Sequence, residues 1–250
     1  MTTQQEQANL SKYENPAIYD EQAQAYQSDL QYMKAYLLNQ KAPIIELACG
    51  TGRLAIPLAK KGHEIYAVDI HSGMLEYAKQ KAKEEQVNIH FYQQDALKLE
   101  LPVKSNVIYM TGNSFQHFLT NESQDLLFEA VKRHLEIGGE FIFNTRNPVL
   151  HELAKVDVYE ENIVLKGERV RIAHEEIYEP LTQVLHCTST HYYPNHTFKD
   201  YINIRYTYPL ELKRLLYSHG FELSILYGSW LKDPFNAKSV EMIVHAKRIR

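Results

Sequence analysis

The run ELACGTG, residues 46–52, contains the residue types of a ligand-binding loop. It follows the apolar residues 43–45 and leads into the apolar run that starts at Leu54. Gly50 and Gly52 allow the backbone to turn sharply and to approach a ligand closely, and the helix expected behind them presents unpaired N–H groups. The spacing therefore predicts a loop that binds a polar ligand at the end of a buried strand.

Two classes of ligand fit this loop. Gly50, Gly52 and Ala55 match the dinucleotide fingerprint G-x-G-x-x-A, and Asp69 at the end of the next strand suits a ribose diol, as in nicotinamide oxidoreductases. Glu46 favours a different ligand, because a carboxylate beside the loop repels a pyrophosphate and attracts an ammonium group. S-adenosylmethionine offers an α-amino group, a ribose diol and an adenine, and it has no phosphate. A non-catalytic binding module on the same fold is a third alternative.

Acidic residues lie at or just beyond the ends of three successive predicted strands. Glu46 lies on the first strand, Asp69 ends the second, and Asp95 with Ala96 follows the third. In series they supply an acceptor for each donor group of S-adenosylmethionine along one edge of a sheet. Each aspartate also has a purely local alternative, Asp69 at a helix start and Asp95 in a turn. The ordered series favours binding.

Five segments together resemble the class I S-adenosylmethionine-dependent methyltransferases, and most of all their small-molecule branch with a β-rich insert after the fifth strand. The segments are ELACGTGRLAIPLA, YAVDIHSGMLEYA, YQQDALKLEL, NVIYMTGNSFQHF and LKRLLYSHGFELSILYG. They cover most of the chain from residue 43 onward. The resemblance implies that the cofactor contacts Tyr19, Glu46, Gly50, Gly52, Arg53, Asp69, Ile70, Met74, Asp95, Ala96 and Met110.

The resemblance also implies a role for each of these residues. The methionine end belongs to Glu46 and the glycine loop, and the ribose to Asp69. The adenine face is assigned to Ile70 and Met74, the adenine edge to Asp95 and Ala96, and the sulfonium side to Met110. Tyr19 resembles the tyrosine of a leading helix that closes over the cofactor. Arg53 is a candidate partner of the methionine carboxylate or, alternatively, a surface arginine in a first helical turn.

Methyl transfer from S-adenosylmethionine requires mainly that the protein align the acceptor atom with the methyl group and exclude water, because the sulfonium already activates the methyl group. A base is useful when the acceptor is a protonated amine or a hydroxyl. His117, just beyond the fourth predicted strand, is the candidate catalytic residue; its alternative is a pocket-wall or helix-start residue. Tyrosine side chains are further candidates to line the acceptor pocket. These are Tyr19, Tyr26, Tyr192, Tyr201 and Tyr206.

Short apolar runs alternate with amphipathic stretches from residue 43, which predicts a doubly wound, Rossmann-like α/β fold. Strands are predicted at 43–47, 64–68, 88–93, 106–110 and 140–144, and helices at 54–61, 74–83 and about 123–134. Ser72 is the expected N-cap of the second helix, and Gly138-Gly139 the end of the third connection. A helix at 210–216, closed by Gly220, and strands at 221–227 and 240–246 complete a mostly parallel seven-stranded sheet.

Beyond Pro148, as far as residue 208, the sequence loses its helical periodicity and consists of β-rich runs. Antiparallel strands are predicted at 162–165, 169–178, 183–193 and 198–208, with turns at Lys166-Gly167, Glu179-Pro180 and Pro194-Asn195. The predicted organisation is therefore a helical lid segment at 1–42, a cofactor-binding core at 43–150 and 209–250, and a β-rich insert at 151–208 that caps the substrate.

Composition excludes several other functions. The 250 residues are 44% hydrophobic with a net charge of −4, and the basic residues are dispersed, so a soluble protein without a nucleic-acid or membrane partner is expected. Two cysteines make no disulfide framework, and the polar N-terminus lacks a secretory pattern, so the cytoplasm is the expected location. The cluster His186, Cys187, His191 and His196 has poor metal-ligand spacing on a strand, so no metal is predicted. The expected partner is a small-molecule methyl acceptor, and the expected state is a monomer or homodimer.

Overall fold

Two β-sheets and six α-helices form the computed structural model, which describes residues 9–149, 153, 156–165 and 167–250. The strands are β1 Ile44–Leu47, β2 Ile65–Asp69, β3 His90–Gln93, β4 Ser105–Met110, β5 Leu135–Arg146, β6 Val156–Leu165, β7 Glu168–Glu179, β8 Val184–Tyr192, β9 Thr197–Arg205, β10 Phe221–Tyr227 and β11 Glu241–Arg248. The helices are α1 Pro16–Ala23, α2 Ser28–Tyr36, α3 Ala55–Ala59, α4 Ser72–Glu84, α5 Asn121–His134 and α6 Pro209–Ser218. Short 3₁₀ turns occur at Ser11–Tyr13, Ala96–Lys98 and Ser114–His117.

The larger sheet has the order β3-β2-β1-β4-β5-β11-β10. Strands β1 to β5 are parallel to one another, whereas β11 runs antiparallel to both β5 and β10. Every residue of β1 and β2 is buried, because helices cover both faces of a parallel sheet. This arrangement confirms the predicted doubly wound, mostly parallel seven-stranded fold. None of the described helices has the length and apolarity needed to cross a lipid bilayer.

Two details of the predicted helices are wrong. His71, not Ser72, caps α4: its backbone is extended and its Nδ1 accepts from the Met74 N–H at 3.2 Å. Helix α5 ends at His134 and leads directly into β5, so Gly138 and Gly139 lie inside the strand. A Cβ on Gly139 would lie 2.8 Å from the Asn106 carbonyl oxygen, which shows that this glycine permits close approach of β4 and β5.

The insert forms a separate four-stranded antiparallel sheet in the order β6-β7-β8-β9. Strand β6 begins six residues before the predicted 162, at Val156, and its first half is exposed on both faces. Strand β9 ends at Arg205 rather than at 208. Turns follow Glu179 and precede Thr197 as predicted, and Lys166 lies outside the described residues.

Two side chains of the N-terminal segment cover the free edge of β9. Asn9 accepts from the Asn203 N–H at 2.7 Å and donates to the Asn203 carbonyl at 2.8 Å. Ser11 accepts from the Tyr201 N–H at 3.2 Å. An uncovered edge strand leaves a row of unpaired backbone groups, so these contacts fix the N-terminal segment against the insert.

A buried polar network joins α2 to the larger sheet. His245 of β11 contacts the Tyr32 hydroxyl through Nε2 at 2.7 Å and Glu140 through Nδ1 at 2.8 Å. Tyr36 donates to the same glutamate at 2.7 Å. The His245 hydrogen bond is the largest cause that lowers the pKa of Glu140, to about 2. The network therefore stabilises α2 on the sheet through an ionised carboxylate.

We expect Glu140→Gln to lower the free energy of unfolding by about 2 kcal/mol at pH 7, because it removes the charged acceptor of these hydrogen bonds. The pKa of Glu140 is depressed in the folded state, so its contribution is present above pH 4.5 and is lost as the pH falls toward 2. Urea denaturation at pH 7 and pH 3 measures both effects. Glu136→Gln, at an exposed position of the same strand, is the matched control; equal losses in the two variants would contradict the assignment.

Candidate functional site

A cavity of about 420 Å³ opens at the carboxyl ends of the parallel strands. Open α/β sheets bind their ligands at this edge, where the order of the strands reverses. Most of the residues predicted from the sequence line the cavity: Tyr19, Gly50, Asp69, Ile70, Met74, Asp95, Ala96, Met110 and His117. Glu46, Gly52 and Arg53 do not.

The loop after β1 is held by the carboxylate that ends β2. Asp69 accepts from the Gly50 N–H through Oδ2 at 2.7 Å and from the His71 N–H through Oδ1 at 2.8 Å. Gly50 has φ +55° and Gly52 has φ +75°, a left-handed conformation that favours glycine. A Cβ on Gly52 would lie 3.1 Å from Ile56, so Gly52 allows α3 to pack closely and does not face the cavity.

The part of the cavity wall that follows β2 and β3 contains both apolar and polar side chains. Ile70 is 42% exposed although it is a large hydrophobic residue, and it lines the cavity together with the buried Met74. Asp95 accepts from the Leu97 N–H at 2.9 Å and caps the following 3₁₀ turn. The wall therefore offers an apolar surface with a carboxylate at its edge, which is the pattern needed by a flat heterocycle with donor groups.

Glu46 lies behind the cavity, on β1. It is 3% exposed, and its Oε2 has no hydrogen-bond partner among the described residues. Tyr109 lies opposite Glu46 on the neighbouring strand β4, and its buried hydroxyl is close enough to lower the pKa of the Glu46 carboxyl. Burial raises the pKa of Glu46 to about 8, and the nearby Tyr109 and Arg53 only partly oppose this. A buried carboxylate without a cation is costly, so the position is suited to a positively charged group.

The structure gives Arg53 a protein partner. Its guanidinium forms an ion pair with Asp29 of α2, with Nη1 at 2.8 Å from Oδ1, and donates to the Tyr26 carbonyl at 2.7 Å. Arg53 therefore anchors α2, and its contact with a methionine carboxylate stays a prediction. The pairing with Asp29 outweighs burial and raises the pKa of Arg53.

A second ion pair anchors α1 over the cavity. Asp20 is buried and its Oδ1 accepts from the Thr51 hydroxyl at 2.5 Å and from Lys81 at 2.7 Å. Thr51 lies between the two glycines of the loop, and Lys81 belongs to α4. Helix α1 and the glycine loop are thus held together, with Tyr19 of α1 placed in the cavity wall.

His117 forms the opposite wall with two residues that the sequence did not single out. Its Nε2 is 2.9 Å from the Tyr13 hydroxyl, and its Nδ1 is 3.4 Å from the Asn9 amide nitrogen. The Asn9 amide is oriented by the Asn203 backbone, so it donates to Nδ1, and Nε2 then carries the proton in the neutral ring. Burial lowers the pKa of His117 to about 4. No motif surrounds Tyr13 in the sequence, and only its contacts across the fold reveal it.

Four of the tyrosines proposed as pocket residues lie elsewhere. Tyr26 donates to Glu241, and Tyr192 lies under Arg171, whose Cζ is 4.0 Å from the ring centroid. Tyr201 is exposed and Tyr206 is fully buried among apolar residues. The alternation of a strand sends neighbouring side chains to opposite faces, and the register was not known from the sequence.

The match to known proteins agrees with this geometry. Residues 44–139 match the model of a family described as a methyltransferase domain. The chain is 25% identical over 214 residues, 82% of each chain, to the cypemycin N-terminal methyltransferase of Streptomyces sp.. It is 31% identical over 147 residues to a protein of Geobacillus sp. (strain WCH70) that is named as a methyltransferase. That alignment covers 58% of this chain and 56% of the relative, so the chain spans about half the length of this relative.

Solved structures show the same fold. The CcbJ methyltransferase from Streptomyces caelestis superimposes with a TM-score of 0.79 at 23% identity, over 89% of this chain and 95% of the other. An S-adenosylmethionine-dependent methyltransferase from Clostridium acetobutylicum ATCC 824 gives a TM-score of 0.79 at 19% identity, over 92% and 96% of the two chains. The likeness includes the insert, since it extends over most of both chains.

We expect Asp20→Ala to loosen α1 from the glycine loop, because it removes the acceptor of both Thr51 and Lys81. The free energy of unfolding should fall by about 1–3 kcal/mol, and trypsin should cleave after Lys12 faster than in the wild type. Mass spectrometry of a digestion time course measures the second effect. Glu76→Ala, which removes an exposed ion pair with Lys79, is the control. An unchanged cleavage rate in Asp20→Ala would contradict the tether.

Proposed function

We propose that this chain is a class I S-adenosylmethionine-dependent methyltransferase and that it methylates a nitrogen or oxygen atom of a small molecule; the matched methyltransferase domain supports the first part. The observation that carries the proposal is the arrangement at the sheet edge. A partnerless buried carboxylate, a glycine loop and two further carboxylates follow β1, β2 and β3 in the order in which this cofactor presents its amine, ribose and adenine.

The residues present fit the cofactor. We assign the ribose to Asp69, whose oxygens already orient the loop, and the adenine to Ile70 and Met74 on its face and Asp95 with Ala96 at its edge. Glu46 is assigned to the α-ammonium group, which would supply the positive charge that its buried oxygen lacks. A pyrophosphate in the same place would face that carboxylate, which argues against a nicotinamide dinucleotide.

Gly50, Met110 and Tyr19 are assigned to the methionine end and the sulfonium side of the cofactor. All three line the cavity. Gly52 contributes indirectly, because its lack of a side chain lets α3 pack against the loop. Arg53 fixes α2 through Asp29, and its role as a partner of the methionine carboxylate stays a prediction from the sequence.

When bound, S-adenosylmethionine supplies a methyl group that is activated by its sulfonium. The protein has to hold the lone pair of the acceptor atom in line with the carbon–sulfur bond that breaks and keep water from that bond, while the proton displaced from the methylated atom leaves to solvent. Tyr13 and His117 lie in the wall of the same cavity. His117 is proposed to act through Tyr13: the neutral ring holds the phenol, and the phenol orients the acceptor atom.

The choice of a small-molecule acceptor has two supports. The chain carries a net charge of −4 with dispersed basic residues, which disfavours nucleic acids. Among the similar structures, one is described as an amino pentose methyltransferase from Micromonospora echinaspora, with a TM-score of 0.69. Both nitrogen- and oxygen-methylating proteins occur among the relatives. The cytoplasmic location and the monomeric or homodimeric state stay predictions from the sequence.

Calorimetric titration tests the cofactor assignment. We expect S-adenosylhomocysteine to bind in the micromolar range and NADH not to bind. Asp69→Ala should weaken S-adenosylhomocysteine binding by about 10- to 100-fold, because it removes a charged acceptor and the support of Gly50. Glu64→Ala, at an exposed position just before β2, is the control. Binding of NADH alone, or normal affinity in Asp69→Ala, would overturn the proposal.

Turnover on an acceptor found by screening amines and alcohols tests the role of Tyr13 and His117. Tyr13→Phe should lower kcat by about 100-fold without weakening cofactor binding. The pKa of His117 is about 4, so its ring is neutral from pH 5.5 to 8. The methylation rate should therefore show no step near pH 6.5 that comes from His117. A rate loss near pH 6.5 that disappears in His117→Asn would show that His117 titrates as a free base and would contradict this role.

A further inference from the structure

A second, larger cavity lies between α1 and one face of the insert sheet. Its volume is about 810 Å³, and Tyr19 belongs to its wall as well as to the wall of the cofactor cavity. Ser11, Lys12 and Glu14 line the second cavity, whereas Tyr13 lines the first. The N-terminal segment is thus a partition with one cavity on each side, and Tyr19 contributes to both walls.

A row of polar side chains crosses all four strands of the insert on the face that lines this cavity. Glu161 of β6 is 3.2 Å from His174 Nε2, and His174 Nδ1 is 3.1 Å from the Ser189 hydroxyl. Ser189 pairs directly across the strands with Asp200 of β9. All four residues line the cavity. A sheet face that served only to pack against α1 would be apolar here.

Asp200 is the buried end of this row. It is 6% exposed, and its Oδ2 contacts His191 Nε2 at 2.8 Å. His191 is 8% exposed, and its Nδ1 has no hydrogen-bond partner among the described residues. Buried polar groups are normally hydrogen-bonded, so this pair is incompletely satisfied without a ligand.

The charge of the lining has one predominant sign. Glu14, Glu21, Glu161 and Asp200 line the cavity against a single lysine, Lys12, and three histidines, of which one contacts Glu161 and another contacts Asp200. The aromatic rings of Tyr19, Tyr193 and Phe198 supply further wall. Carboxylates together with aromatic faces attract cations, and the same carboxylates repel phosphates.

We propose that this second cavity holds a positively charged group of the methyl acceptor, with Asp200 and Glu161 as its counter-charges, and that it rejects phosphorylated acceptors. The inference rests on the proposed function, since the acceptor would reach the cofactor cavity past Tyr19. Beyond the proposed function, it specifies that the acceptor is positively charged and that this charge is bound in the second cavity. The positive group is kept on the far side of the N-terminal segment from the cofactor cavity.

A matched series of small probes tests this with the full-length chain at pH 8. Benzylamine is a cation, benzyl alcohol is neutral and benzyl phosphate is an anion, with the same aromatic body. Ligand-observed NMR should detect benzylamine binding at least tenfold tighter than benzyl alcohol, and no binding of benzyl phosphate. Equal binding of all three, or preference for the phosphate, would overturn the inference.

Variants then locate the site. Asp200→Asn should weaken benzylamine binding about tenfold or more, and so should Glu161→Gln, which is exposed and should not disturb folding. Glu175→Gln removes the same charge from the opposite face of β7 and should have no effect. Loss of binding only in Asp200→Asn, together with a lower melting temperature, would contradict the proposal, because Glu161 would then play no part.

Saturating S-adenosylhomocysteine separates the two proposals. Benzylamine binding should persist in its presence, since the amine and the cofactor occupy different cavities. If S-adenosylhomocysteine binds but displaces benzylamine, the amine lies in the cofactor cavity: the cation site is refuted and the methyltransferase proposal stands. If benzylamine binds as expected but S-adenosylhomocysteine does not bind, the proposed function fails and the cation cavity remains as a property of the chain.

Discussion

The buried carboxylate of Glu46 is the constraint around which the site is built. A carboxylate at the centre of a parallel sheet loses its hydration, and its Oε2 gains no protein hydrogen bond in return, so burial raises its pKa to about 8. Such a group is unfavourable for stability unless a cation pairs with it. The loop beside it has glycines with positive φ and a backbone fixed by Asp69. A ligand with a positive charge at one end can pair with Glu46, and hydrogen-bond donors along its length can bind the loop and Asp69.

The same loop also organises the segments that surround the two cavities. Asp20 joins α1 to Thr51, and Asp29 joins α2 to Arg53, so the helices that cover the site are anchored on the residues that shape it. The N-terminal segment is fixed from the other side by Asn9 and Ser11 on the edge of β9. The glycine loop, the N-terminal segment and the insert are therefore connected by side-chain contacts, and the second cavity lies between α1 and the insert.

Much of the fold could be predicted because its signals are local. Apolar runs such as 44–47 and the glycine spacing at 50 and 52 depend only on neighbouring residues, and they located the sheet and the loop. Contacts between distant segments could not be predicted. Tyr13 meets His117 across 104 positions, and Arg53 forms an ion pair with Asp29 of α2. The first half of β6 is exposed on both faces, so burial did not mark it, and the strand register of the insert decides which tyrosines and histidines face the second cavity.

The ionisation of Glu46 tests the account most directly. Carbon-13 NMR of glutamate carboxyl groups, with the resonance assigned by its absence in Glu46→Gln, should give a pKa of about 8 in the free protein. Saturation with S-adenosylhomocysteine, which keeps the amino group, should lower that pKa toward the ordinary glutamate value of about 4.5. An ordinary pKa in the free protein, or a raised pKa that the ligand leaves unchanged, would contradict the claim that Glu46 is held for the ammonium group of the cofactor.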